Sequence, residues 1–403
     1  MVLGPGGSGV SVVAAAAALT VDASTHEHRG VLPIGAERDT LLVTVDRQSY
    51  LPERLGVFRV PGEPVAITAD TDLLHLDPLA VVEQAWTDFT AALTAVSAAR
   101  AFLPIVGTLS SVAPGEMVAL PGIGEFLLLR QIRDAATSGR WRRVVVDLSG
   151  VGDPHAFLRA PVILSTAVER LWPRHARLAE AAEKPALAQL SAAVEGIDRD
   201  CQDLAELLID PHSVSAHLVL DAGDRGRRAA ADQLAIADLT GLPLRSVLVN
   251  AGEAAMSTVS VAEHVRSLVD GDRAVTVHEV DSGGVLDRLS RIRKITLHAQ
   301  KPSGRPRGSG ALTVTKASGE GVDTVFELTW RQGLPRPDQL QLGRSGDDLL
   351  VTIDGFRHPV RLPSVLRRCR VIGAGWDAGL LTVTFSPDPA VWPARDGGSG
   401  PAR

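Results

Sequence analysis

Residues 4–11 read GPGGSGVS. They follow a short apolar run, Met1-Val2-Leu3, and lead into VSVVAAAAALTV at 10–21, so the order is strand, glycine turn, helix. Such a turn lets the backbone approach an anion and aims N–H groups and a helix N-terminus at it. The general pattern is G-x-x-x-x-G-K-[ST], in which the lysine supplies a full positive charge and the hydroxyl holds magnesium. Gly4, Gly9 and Ser11 satisfy it, and Val10 stands where the lysine belongs. The strand ahead of Gly4 is short, so we expect the natural chain to begin a few residues upstream of Met1.

Beyond the loop, Val/Leu-rich runs alternate with helical ones. The runs at 40–46, 141–150, 215–223, 244–252 and 273–281 are Val/Leu-rich and bounded by polar or turn residues, as suits strands buried on both faces of a parallel sheet. Ala/Leu-rich segments at 80–103, 122–138, 160–208 and 225–240 have helical spacing. This order predicts an α/β domain with a doubly wound, mostly parallel sheet over residues 1–299, whose ligands sit at the carboxyl ends of the strands. At 300–310, QKPSGRPRGSG reads as a linker. Residues 311–390 are all strand and turn, which predicts an all-β sandwich with a hairpin turning at Asp354-Gly355. The tail, 391–403, is predicted to be disordered.

Composition narrows the function classes. A net charge of −6 gives no strong pull toward nucleic acid or a membrane surface. The lysines are Lys184, Lys294, Lys301 and Lys316, so nearly every basic residue is arginine, a bias of GC-rich genomes such as those of actinobacteria. Cys201 and Cys369 cannot form a disulfide framework or a Cys-based zinc site, which fits a cytoplasmic protein. The apolar run at 10–21 has no basic residue before it, the first arginine being Arg29, and it is too short to span a bilayer. We read it as a buried helix and the chain as not an integral membrane protein. His26 and His28 have H-x-H spacing without a third ligand nearby and read as a solvated loop, so no metal site is expected.

The glycine loop more closely resembles G-K-G-G-x-G-K-[ST], the loop of the ArsA-like P-loop ATPases, a family that includes the arsenite-efflux and the tail-anchored-protein targeting ATPases. Gly4, Gly6, Gly7, Gly9 and Ser11 match, while Pro5 and Val10 replace both lysines. The resemblance continues in order. VTVDRQSYLPERLG (43–56) is similar to S-T-D-P-A-H-x-L-x-D-x-x-G, with Arg47 and Ser49 replacing the Pro and His. LLHLDPLAVVE (73–83) resembles E-I-D-P-x-x-A, and LPGIGEFLLLRQI (120–132) a P-G-x-x-E stretch. VVVDLSGVGDPHAFLRAP (144–161) resembles V-V-V-D-T-A-P-T-G-H-x-L-R-x-L-x-x-P, with Leu148 to Asp153 departing from its core. LVNAGE (248–253) is similar to a V-V-N segment. At the C-terminus, LLVTIDGFRHPVRLP and GLLTVTF resemble the α-crystallin-type (small heat-shock) sandwich fused to some actinobacterial ArsA-like proteins.

The resemblance implies a nucleotide and magnesium site with the glycine loop on the phosphates. Asp46 would orient the attacking water, Asp147 would sit on the magnesium side, and Asn250 would read the adenine. Each also has a plainer reading, the aspartates as strand-end turn formers and Asn250 as a cap. Without the lysines we expect weak ATP or ADP binding at most. The chain then reads as a degenerate, non-catalytic or weakly catalytic family member, a binding, regulatory or chaperone-like subunit. A homodimer, or a heterodimer with an intact ArsA-like paralogue, and a protein client are its expected partners. The alternative is an active ATPase powering anion or protein transfer, with an arginine such as Arg47 or Arg143 replacing the lysines. A third reading makes the sandwich a holdase. The apolar stretch within 80–135 reads as core rather than client groove, and Cys201 as structural. The family's paired zinc cysteines are absent, as is any cysteine cluster for a soft metalloid.

Overall fold

The computed structural model describes residues 1–20, 38–95, 112–119, 122–184, 187–269, 275–295, 297, 299–302, 304, 312–333 and 337–392. The readings of His26 and His28, of residues 96–111 in the apolar stretch, of most of the linker and of the tail beyond Trp392 lie outside them.

The chain divides into two compact units: residues 1–227, 243–266 and 274–305, and residues 228–242, 267–273 and 306–403. The first is built on an eight-stranded sheet of order β3-β4-β2-β5-β1-β6-β7-β8. Its strands are β1 (Val2–Leu3), β2 (Arg38–Thr44), β3 (Pro64–Ala66), β4 (Thr71–His75), β5 (Trp141–Asp147), β6 (Ala216–Asp221), β7 (Leu244–Asn250) and β8 (Thr276–Val280). All pairs are parallel except β3 with β4. The expected doubly wound α/β sheet is therefore present. Central β1 pairs with β5 through Val2↔Asp147 and with β6 through Leu3↔Leu218. The chain leaves β1 toward β2 on one side and later builds β6 on the other, so the crevice at its carboxyl end is a topological switch point.

Strand β4 has no continuous apolar run, because Thr71, Asp72 and His75 interrupt it, yet all five of its residues are buried. Buried polar groups need partners, and the Trp141 indole supplies one to Asp72 Oδ2 at 3.0 Å.

Helix α1 (Val10–Leu19) packs its alanines and valines into the core with Leu42, Leu73, Val145, Val219 and Leu248. No helix among the described residues is long and apolar enough to cross a membrane. Helices α2 (Pro78–Ala95) and α3 (Ile123–Thr137) follow. The segment 160–208 breaks into α4 (Ala160–Leu171), α5 (Arg174–Glu183) and α6 (Ala188–Ile209). The first break is dictated locally: Pro173 disfavours helical backbone at Trp172, which sits at φ −145°. Arg177, fully buried between these helices, donates to Trp172 O at 2.7 Å and Glu195 Oε2 at 3.1 Å. Helices α7 (Asp224–Leu239) and α8 (Val259–Leu268) follow β6 and β7.

The second unit holds two antiparallel sheets. One is β9 (Thr313–Ser318), β10 (Val325–Arg331), β14 (Cys369–Asp377) and β15 (Leu380–Pro387) in the order β14-β15-β10-β9. The other is β11 (Leu340–Ser345), β12 (Asp348–Ile353) and β13 (Phe356–Arg361). Strict alternation on β15 sends Leu381, Val383 and Phe385 inward, each fully buried. They share a core with Leu328, Leu349 and Val351, as expected of a sandwich. The hairpin turns at Asp354 and Gly355, both at positive φ, which suits the twist of the flanking strands. Ala235, Ile236 and Leu239 of α7 complete this core, and buried Gln332 donates to Ala235 O at 2.8 Å.

Candidate functional site

Gly4 leaves β1 against the Val219 carbonyl of β6, and the chain turns through Ser8 N donating to Pro5 O at 3.1 Å. Gly9 caps α1 at φ +90°, and a Cβ there would lie 2.2 Å from Asn250 Nδ2. Both the dihedral and the approach demand glycine. Asn250, at the end of β7, donates to Ser8 O at 2.9 Å while its Oδ1 accepts from Gly252 N at 3.1 Å. Its amide is thus a staple on the loop. Gly6 faces open space. The first-turn N–H groups of α1 have no intrahelical acceptor, and their partial charge makes this loop end positive.

Val10 is 4% exposed and belongs to the sheet core. The position of the missing lysine is therefore a packing position. Ser11 Oγ donates to Ser149 Oγ at 2.8 Å. Asp147, buried at the end of β5, accepts from Ser149 N at 3.1 Å and from Thr44 Oγ1 at 3.2 Å. Burial pushes its carboxyl pKa up, against the opposing pull of hydrogen bonds from Ser149, Ser11 and Thr44. The structure thus brings Ser11 and Asp147 into one network across the ends of β1, β2 and β5. Asp46 stands just beyond β2. Its Oδ1 accepts from Gln48 N at 2.9 Å, its carbonyl meets His75 Nε2 at 3.0 Å, and Gly150 packs directly on it. His75 was not singled out from the sequence, because it reads there as an interruption of an apolar run.

The arginine beside the loop is neither of the two named from the sequence. Arg143 binds at the far end of α1, donating through its Nη2 to Ala18 O at 3.3 Å and Thr20 O at 3.2 Å. Arg47 lies on an exposed turn whose carbonyl accepts from Arg59 Nη1 at 2.7 Å. Arg225, in the first turn of α7, is the residue that reaches the loop. Its Nη1 and Nη2 lie 3.1 and 3.2 Å from where a Cβ on Gly7 would stand, and Gly7 has φ +79°. Arg225 Nε donates to Asp221 Oδ2 at 3.0 Å. The signal available in the sequence was an arginine four residues after a strand-end aspartate, beside the strand that neighbours β1.

Cys201 is buried, and burial pushes its thiol up to about 12, so it stays protonated and structural. No group of three His, Cys, Asp or Glu among the described residues could hold a metal.

Similarities to known proteins bear on this arrangement. Residues 328–385 match the family described as the HSP20-like domain found in ArsA. Protein Rv2184c of Mycobacterium tuberculosis is 32% identical over 438 aligned residues, which cover 97% of this chain and 96% of that protein. The SCO2128 protein of Streptomyces coelicolor is 31% identical, covering 98% of each chain. A protein of Chlorobaculum tepidum named for an arsenical pump-driving ATPase is 23% identical over 260 residues, 61% of this chain and 59% of that one. With the glycine loop, the parallel sheet and the sandwich already in place, these matches make the chain a member of the ArsA-like family with a C-terminal HSP20-like domain.

Proposed function

We propose that this chain binds the phosphates of a nucleotide weakly and hydrolyses it slowly or not at all, acting as a binding or regulatory subunit of the cytoplasm. The burial of Val10 carries this reading. A catalytic lysine offsets charge that develops in phosphoryl transfer, and an apolar residue packed into the sheet leaves no side chain at that position to do so. Losing one such preorganised donor costs about 10²–10³ in rate.

The residues that remain suit phosphate through the backbone rather than through an ammonium group. Gly6 leaves open space, and Gly7 and Gly9 at positive φ turn the backbone closely around it. Gly6, Gly7 and Gly9 would hold the phosphates, with Ser11, Ser149 and Asp147 on the magnesium side and Asp46 next to them. Bound ATP would bring a phosphoanhydride whose hydrolysis the intact family members use. Here the two ends of that chemistry, charge compensation and water activation, are unequally equipped. A subunit of this kind fits a homodimer or a pairing with an intact paralogue, and the HSP20-like unit fits a protein client.

Calorimetry with ATP and ADP, with and without magnesium, together with a phosphate-release assay, tests the proposal. Micromolar or weaker magnesium-dependent binding with negligible turnover is the expected result. Turnover on the order of 1 s⁻¹, ordinary for phosphoryl-transfer enzymes, would overturn it in favour of the active ATPase. Binding of neither nucleotide at millimolar concentration would overturn it in favour of a purely structural loop.

A further inference from the structure

We infer that Arg225 is the cation that serves the glycine loop in place of the missing lysine, and that its ligand is a phosphate chain of the di- or triphosphate class. The inference rests on the reading that the loop binds phosphate.

The placement is specific. The loop itself holds no lysine, since Pro5 and Val10 stand at both lysine positions of the pattern it resembles, and the side chain that comes up against it is an arginine. Arg225 lays the end of its guanidinium on Gly7, close enough that any side chain there would push it away. Gly226 makes this possible: a Cβ on it would fall 1.9 Å from Asp221 O, so only glycine lets α7 start this tightly beside β6.

The orientation is fixed from behind. Asp221 Oδ1 is held by Gly223 N at 3.0 Å, and among the described residues its Oδ2 takes only the Nε of Arg225. Among the described residues no hydrogen bond occupies Nη1 or Nη2, and the side chain is 54% exposed. Four N–H bonds in one plane are left beside the loop, the fork geometry that matches two phosphate oxygens.

The electrostatics favour an anion. A cation next to the N-terminal end of a helix meets its partial positive charge, which is unfavourable. Asp221 neutralises one charge behind the guanidinium, but the loop's own N–H groups remain. An anion between loop and guanidinium satisfies both.

The test is calorimetric titration of the full chain, and of Arg225→Ala, Arg225→Lys and Arg225→Gln, with ATP, ADP, inorganic pyrophosphate and adenosine, each with magnesium. The expected result is that Arg225→Ala weakens ATP and ADP on the order of tenfold to a hundredfold, as for loss of charged hydrogen bonds, and leaves adenosine unmoved. Arg225→Lys keeps part of the affinity, whereas Arg225→Gln keeps little. Pyrophosphate following the same order identifies the phosphate chain alone as the determinant. A response by ATP and ADP with pyrophosphate silent assigns the site to nucleotides. Equal or tighter phosphate binding by Arg225→Ala overturns the inference and leaves the loop as the binding element. Failure of the unaltered chain to bind any of the phosphate ligands overturns the phosphate reading itself.

Discussion

The two ends of helix α1 each carry an arginine, and they obey opposite rules. At the C-terminal end, Arg143 donates to Ala18 O and Thr20 O and to Thr40 Oγ1 on β2. The last carbonyls of a helix lack partners and carry partial negative charge, so a guanidinium there satisfies acceptors and complements the dipole. The fold alone explains it. At the N-terminal end, Arg225 stands on Gly7 and adds positive charge to a positive helix end. There the fold supplies one partner, Asp221 on Nε, and leaves Nη1 and Nη2 without a hydrogen bond among the described residues. One residue type, placed at the two poles of one helix, is a structural cap at the first and, as proposed, a ligand-directed group at the second.

The comparison breaks most visibly if the loop is not what holds this end open. Gly9→Ala forces a side chain onto φ +90° with its Cβ 2.2 Å from Asn250 Nδ2. It is expected to lower stability by more than about 2 kcal/mol. Gly6→Ala, which meets nothing within 4 Å, should stay within about 0.5 kcal/mol of the unaltered protein. Urea unfolding of both variants checks this. Equal losses would mean that the loop is packed throughout, like the opposite end, with no side left for a ligand.

The amino edge of the sheet, where α1 ends, also carries the acid response. His217 of β6 is buried between Ser246 Oγ at 2.8 Å and Ser215 Oγ at 3.3 Å, and burial is the main cause that pushes its pKa down to about 3. The folded protein therefore keeps the ring neutral, whereas the unfolded chain protonates it below about 6.5. Between those values the unfolded state binds more protons, so stability is full above the unfolded pKa and falls as the solution is acidified. At 1.36 kcal/mol per pH unit the loss at pH 5 is about 2 kcal/mol. His217→Asn should flatten the decline between pH 6.5 and 5 in thermal melts. An unchanged slope would move the acid-sensitive group elsewhere.

What could be read beforehand follows the same division. The parallel strands were legible because Leu41, Leu42, Val145, Val219 and Leu248 are apolar on both faces of their runs. Strand β4 was not, because Asp72 and His75 are buried through partners on other elements, which only folding brings near. The glycine loop announced itself by composition, and Asp147 and Ser11 by order along the chain. Arg225 could not be found that way. Its role depends on α7 starting hard against β6 at Gly226, a contact between segments more than two hundred residues from the loop. Arg143 was named as a stand-in for the lysines, but its register with Thr40 puts it at the amino edge of the sheet, away from the loop.

The smallest effects are the most discriminating. In phosphate-free buffer at low salt, Arg143→Ala should cost about 1–2 kcal/mol, since it strips partly buried charged hydrogen bonds from the end of α1. Arg225→Ala should change stability by less than about 0.5 kcal/mol, because the pair it breaks with Asp221 is exposed and four residues apart on the chain. Removing the cation relieves repulsion at the positive helix end, which offsets part of the lost pair. Added salt should shrink the Arg225 effect further and leave most of the Arg143 effect in place. The measurement is a pair of chemical unfolding curves at two ionic strengths. If Arg225→Ala costs as much as Arg143→Ala, then Arg225 is a clamp on Gly7, and both poles of the helix are structural. If it costs nothing, the fold does not depend on Arg225, the two poles differ as described, and the phosphate titrations of the Arg225 variants alone decide what the residue holds.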